Sequence, residues 1–182
     1  MEKKKFLLLF VILAVVLALA VGLYRNLSGL SSPIPPAAAP ADPRPAADFT
    51  VYDLEGNEVH LSDFTGKPIV LTFWASSCSP CRSEMPDFQT AYEALGEDVQ
   101  FVMVNVTDGH WDTLETASGY ILGSGFTFPV YYDTTVEAAV TYGIRGLPTT
   151  VFINAEGNII ASRSGAMNYE ILMGGIDLIY HK

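Results

Sequence analysis

The stretch Ile69-Val70-Leu71-Thr72-Phe73-Trp74-Ala75-Ser76-Ser77-Cys78-Ser79-Pro80-Cys81 decides how this chain is read. Its first six residues form a near-continuous apolar run, the pattern of a strand buried on both faces of a sheet. Its last four hold the only two cysteines of the chain. Pro80 suits the first turn of a helix, where its missing N–H is not needed. The order strand, turn, helix therefore puts Cys78 at a helix N-terminus. There, unpaired N–H groups and the positive end of the helix dipole stabilise a thiolate. A thiol so placed falls from a pKa of ~8.5 toward or below ~7. Cys81 lies one helical turn further on and is expected to be the more buried. The pair then divides its work: Cys78 attacks a partner disulfide, and Cys81 resolves the mixed disulfide. A structural disulfide is the competing reading. Its benefit grows with the loop it closes, and this loop is too short to constrain much.

Outward from this stretch the pattern is that of an α/β domain with a mixed sheet. Upstream, Phe49 to Tyr52 and Val59 to Leu61 read as short strands joined by a turn at Glu55-Gly56-Asn57. Downstream, a helix is predicted from Pro80 to Leu95, ending near Gly96, and a second buried strand from Val99 to Val106. Trp111 to Leu122 reads as a helix that exits through Gly123 to Gly125. A strand at Phe128 to Tyr132 and a short helix at Val136 to Tyr142 follow. Thr149 to Ile153 and Asn158 to Ser162 read as a hairpin, and Tyr169 to Tyr180 as a last helix weakened by Gly174-Gly175.

The N-terminus reads as a targeting segment. Lys3-Lys4-Lys5 precedes an uncharged run of 18 residues from Phe6 to Leu23, which as a helix spans about 27 Å, close to the bilayer core. The basic flank keeps the N-terminus cytoplasmic, so the remainder lies outside. A signal peptide cleaved after Ala18-Leu19-Ala20 is the alternative, and either outcome exports the domain. Residues 1–25 are thus assigned to a signal-anchor helix, 26–47 to a linker rich in Pro and Ala, and 48–182 to the folded domain. The linker lacks the apolar content of a core, and at ~3.1 Å per residue it reaches roughly 70 Å.

The net charge of -10 is unevenly distributed: residues 1–25 carry +3 and the remainder -13. A domain this acidic is a poor match for nucleic acid. Two cysteines supply half a zinc site, and His60, His110 and His181 lack ligand spacing, so no metal or other cofactor is expected.

Two segments together resemble the thioredoxin superfamily. Trp74-Ala75-Ser76-Ser77-Cys78-Ser79-Pro80-Cys81 looks like its active-site segment, and Ile144-Arg145-Gly146-Leu147-Pro148-Thr149 like the loop that bears its cis-proline. The resemblance covers about Asp48 to Lys182. The hairpin before the first core strand and the extra segment from Thr107 to Phe126 look like the membrane-tethered, extracytoplasmic TlpA/ResA-like branch. The fold so implied is a central mixed sheet flanked by helices, with an N-terminal β-hairpin and an inserted helical segment. By the same resemblance Pro148 is cis with its loop facing Cys78, and the backbone of Leu147 pairs with an extended substrate peptide. Pro86 matches the proline that kinks the active-site helix. Glu84 and Asp108 fall where that branch carries carboxylates, and each is a candidate acid or base for the proton of Cys81. Alone, Glu84 reads as a helix-surface acid, Asp108 as a loop acid and Arg82 as a solvated base.

One departure bears on mechanism. Thioredoxins proper carry a buried aspartate two residues before the tryptophan, and here that position is Thr72, whose hydroxyl is no general base near neutral pH. The Ser-Pro dipeptide between the cysteines lacks the histidine of strongly oxidising relatives, which favours a reductase. The expected protein is a monomeric, exported reductase. Its clients are exported proteins with disulfides, such as an apocytochrome c, and its electrons come from a membrane or exported donor. A copper(I) carrier using Met85 or Met103 beside the cysteines is the alternative. A thiol peroxidase is less favoured, because Ala75 stands where peroxiredoxins have threonine.

Overall fold

The computed structural model describes residues 44–181 and four isolated positions nearer the N-terminus, Lys5, Leu13, Val16 and Leu17. Apart from those isolated positions, the expected signal-anchor over Phe6 to Leu23 and most of the expected linker lie outside the described residues. Among the described residues, no helix is long and apolar enough to cross a membrane.

The centre of the sheet is formed by the two apolar runs. Strand β4 (Ile69–Trp74) is buried at all six positions, and β5 (Gln100–Asn105) at all but the first. They pair in parallel, Ile69 with Gln100 through Trp74 with Asn105. On one side, β6 (Val130–Tyr132) continues the parallel set. On the other, β7 (Thr149–Ile153) runs antiparallel to β4, and β8 (Asn158–Ser164) pairs with β7 as the expected hairpin. The outer positions are taken by β1 (Arg44–Pro45) against β8, and by the hairpin of β2 (Thr50–Tyr52) and β3 (Glu58–His60) against β6. The order across the eight strands is β1-β8-β7-β4-β5-β6-β2-β3.

Each face of the sheet has its own core. On one face, α1 (Ser79–Leu95) and α4 (Tyr169–Ile176) pack Phe88, Leu172 and Ile176 against Val70, Trp74, Met103 and Phe152. The other face buries Leu71, Phe73, Val104 and Ile153 under the β2–β3 hairpin and α3 (Glu137–Thr141). Both faces of β4 and β5 are therefore apolar, which explains why those strands read as runs without alternation.

Most boundaries shift by one or two residues, and three differences from the sequence reading have a packing or capping reason. Arg44 and Pro45 fall within the segment read as linker, yet pair with Ile159 and Asn158. Helix α2 (Leu114–Ser124) starts three residues later than predicted, because the side chain of Thr113 takes the N–H of Thr116 as its cap. Its exit is Gly125, with φ of 71°. Helix α4 stops at Ile176 rather than Tyr180. The Gly174-Gly175 pair, read as a weakness, has a packing reason at Gly175: a Cβ there would lie 2.2 Å from Cζ of Phe152. Only glycine lets α4 approach β7 this closely.

Candidate active site

Strand β4 delivers Trp74 to the edge of the core, and the three-residue turn Ala75 to Ser77 leads into α1. Cys78 is the N-cap of that helix, with extended backbone (φ -82°, ψ 106°), and Pro80 sits in its first turn. Cys78 Sγ accepts the backbone N–H of Cys81 at 3.2 Å. A cap normally supplied by a hydroxyl or carboxylate oxygen is here supplied by sulfur. On reduction, the same N–H and the helix dipole face a Cys78 thiolate. The two cysteines form a disulfide with Cα atoms 5.3 Å apart. Cys78 is 8% exposed and Cys81 fully buried. Both are shielded, but only Cys78 has a surface to offer a partner.

The second signature meets the first through strand register. Phe73 pairs with Thr149, so Pro148 lies beside Trp74 at the sheet end that carries Cys78. The Leu147–Pro148 peptide is cis. Gly165 donates its N–H to Pro148 O at 2.9 Å, which fixes the loop against the end of β8. Leu147 packs against both cores. Trp74 is buried, 6.0 Å from the ring of Tyr120. Its indole N–H has no hydrogen-bond partner among the described residues.

Glu84 stands one helical turn after Cys81, on the same side of α1. It is only 2% exposed, and its Oε2 accepts a single backbone N–H, that of Met167, at 2.9 Å. Burial pushes its carboxyl up to about 7; the Met167 N–H pulls downward, and the Asp87 charge adds a smaller upward push. Glu84 is thus a buried carboxyl, not the helix-surface acid its sequence position suggests. Thr72 is fully buried, its hydroxyl 3.1 Å from that of Thr150 across β4 and β7.

Asp108 is placed differently. It is exposed, and its Oδ1 accepts the backbone N–H groups of His110 and Trp111, at 2.8 and 2.6 Å. Slight burial pushes its carboxyl up, but those two donors outweigh it and hold the group below the ordinary carboxylate range. The carboxylate that reaches the cysteine loop is Asp112, which sequence reasoning missed. Asp112 is 5% exposed and accepts from the backbone N–H and the hydroxyl of Ser76, two residues before Cys78. It also accepts from Asn105 Nδ2 at 2.9 Å and from the Thr116 hydroxyl. Burial raises its carboxyl, yet the donors on Thr116, Asn105 and Ser76 together hold it low. Ser77 adds a second tie by donating its hydroxyl to Trp111 O. The available signal was Asn105, a fully buried amide closing an apolar strand, since such a group requires a polar partner.

Among the described residues, no three His, Cys, Asp or Glu side chains cluster as a metal site. His60 Nδ1 lies 3.3 Å from the Thr50 hydroxyl, His110 stands edge-on to Trp111, and His181 is exposed. Met85 and Met103 are core residues of the α1 face.

Comparison with known proteins agrees with this geometry. The AhpC/TSA family profile matches residues 43–162. The thiol-disulfide oxidoreductase ResA of Halalkalibacterium halodurans is 33% identical over 135 residues, 74% of this chain and 74% of that protein. The sporulation thiol-disulfide oxidoreductase A of Bacillus subtilis is 32% identical over 153 residues, 82% of this chain and 92% of that protein. The crystal structure of StoA from Bacillus subtilis superposes with a TM-score of 0.62 at 30% identity, over 71% of this chain and 96% of that one.

Proposed function

The chain belongs to the AhpC/TSA family and is a thiol–disulfide oxidoreductase of thioredoxin-like fold, and from that premise we propose that it reduces disulfides of exported proteins. The observation that carries this reading is the sulfur cap: Cys78 Sγ at the N-terminus of α1, held by the Cys81 N–H. The reduced Cys78 thiolate attacks one sulfur of a client disulfide, and the other client sulfur leaves as a thiolate. Cys81, once deprotonated, attacks Cys78 Sγ and displaces the client's second sulfur. One Cys78–Cys81 disulfide forms as one client disulfide is lost, so two electrons reach the client, whose two leaving thiolates take up protons from solvent. A dithiol donor in the membrane or outside it restores the reduced pair.

In this scheme Glu84 receives the proton of Cys81. Its carboxyl near 7 matches a proton transfer at neutral pH better than the Thr72 and Thr150 hydroxyls do. Asp108, committed to its turn, has no part in the transfer. The backbone of Leu147 pairs with an extended client segment beside the cis bond. Export rests on the sequence: the basic flank and the apolar run from Phe6 to Leu23 place the domain outside the membrane.

Trapping tests the reading. With Cys81→Ser, Cys78 holds clients as mixed disulfides that survive gel electrophoresis without reductant, and turnover stops. Normal multiple turnover by Cys81→Ser removes the resolving role. A redox titration fixes direction: a potential near ~-270 mV supports the reductase and one near ~-120 mV an oxidant.

A further inference from the structure

A groove of about 280 Å³ runs along β8 and β7 on the face that carries α3. Its near end is the cis-proline loop. Thr149 lines it directly after Pro148, with its hydroxyl 3.2 Å from that of Ser164 and donated to Gly146 O at 2.8 Å. The floor continues through Val151 and its register partner Ser162 to Ile159, which pairs with Arg44 of β1. Ser164 and Ile159 are five strand positions apart, so the floor is about 17 Å long, enough for an extended segment of roughly five residues.

Charge is what distinguishes this groove. Residues 44–181 contain 18 carboxylates and only five Arg or Lys: Arg44, Lys67, Arg82, Arg145 and Arg163. Two of the five line the groove, Arg145 on the loop and Arg44 at the far strand edge. Both are exposed, and neither guanidinium meets a carboxylate or a hydrogen-bonding side chain among the described residues. Elsewhere on such an acidic surface an acidic ligand is repelled, whereas here two guanidiniums and the hydroxyls of Thr149, Ser162 and Ser164 face it. The register that sets Thr149 beside Phe73 also puts the near end at the sheet end that carries Cys78.

Building on the reductase reading, we infer that this groove is a client subsite that holds a segment rich in Asp or Glu flanking the client's reactive cysteine. The client runs past Pro148 with its cysteine toward Cys78 and its carboxylates toward Arg145 and then Arg44. Its role is selection. It raises the encounter rate of acidic clients with a protein whose net charge repels them, and the effect is screened by salt.

The test uses the reduced full chain and two disulfide-bearing peptides of equal length, one flanked by four Glu and the other by four Gln. The readout is the ratio of their second-order rates of reduction. At 20 mM salt the ratio favours the Glu peptide by about tenfold, and it falls toward one at 0.5 M salt. In Arg145→Glu with Arg44→Glu the ratio drops to one or below. Each single reversal gives an intermediate ratio. A wild-type ratio near one overturns the inference while leaving the reductase intact. So does a preference that survives the double reversal, or one that appears only as binding to anionic lipid vesicles. Failure to reduce either peptide removes the reductase reading and the inference with it.

Discussion

Two carboxylates with little exposed surface flank the cysteine pair, and they are shifted in opposite directions. Asp112, 5% exposed, is surrounded by donors from Ser76, Asn105 and Thr116 and is held below the ordinary carboxylate range. Glu84, 2% exposed, has one donor, the Met167 N–H, and is raised to about 7. Low exposure alone therefore does not decide what an acid does here: Glu84 lies deeper in the protein and has fewer donors facing its charge, and both differences raise it relative to Asp112. Asp112 is held as an anion that anchors the turn leading to Cys78, whereas Glu84 is a buried carboxyl raised to about 7.

Stability should follow the same division. The largest effect is expected from Asp112→Ala, which leaves the buried Asn105 amide unpaired and removes the acceptor shared by Ser76 and Thr116. A loss of roughly 4 kcal/mol in chemical denaturation is expected. A loss below about 1 kcal/mol would mean that the turn before Cys78 holds without its anchor.

Next comes the pH dependence of Glu84→Gln. The folded-state pKa of Glu84 lies above its unfolded value of 4.5, at about 7. Its stabilising protonation is fully present below about 4.5 and is lost as pH rises through about 7. The substitution removes this dependence. The stability of Glu84→Gln relative to wild type should therefore climb by roughly 3 kcal/mol between pH 4 and pH 8. Asp112 has the opposite sign: its contribution is present above its unfolded value and lost only as pH falls through its lower folded one. A relative stability curve for Glu84→Gln that is flat with pH would break the contrast between the two acids.

Smaller still is Thr72→Val, which strands the Thr150 hydroxyl and should cost about 1 kcal/mol. Its informative readout is kinetic. Resolution of a mixed disulfide, followed by tryptophan fluorescence, should keep its inflection near pH 7 in this variant and lose it in Glu84→Gln. An inflection that moves in Thr72→Val would shift the proton route to the hydroxyl pair. The smallest effect is expected from Asp108→Asn, whose exposed side chain still caps the turn at His110 and Trp111. It should change stability by less than about 0.5 kcal/mol and leave the pH profile unchanged, and a displaced inflection would return Asp108 to the proton path.

The central strands, the hairpin of β7 and β8 and the helix start at Cys78 were legible because each rests on local pattern. An apolar run without alternation requires burial on two faces, and Pro80 fits the first turn of a helix. The later start of α2 was less legible, since Thr113 and Trp111 are both plausible entries until the Thr113 cap is seen. Asp112 was not legible as the anchor of the cysteine turn, because its donors come from three separate segments. Asp108 stands where the family resemblance implies a carboxylate, but the fold commits it to the turn at His110 and Trp111.

The sequence by itself determined the redox pair and the α/β order, because strand period, helix entry and cysteine spacing are properties of neighbouring residues. The tertiary structure alone decided which carboxylate titrates near 7, which one anchors the turn, and that Arg44 and Arg145 share one groove although 101 positions separate them in the chain. Those outcomes depend on desolvation and on the count of hydrogen-bond donors converging from distant segments, and both exist only once the chain is folded.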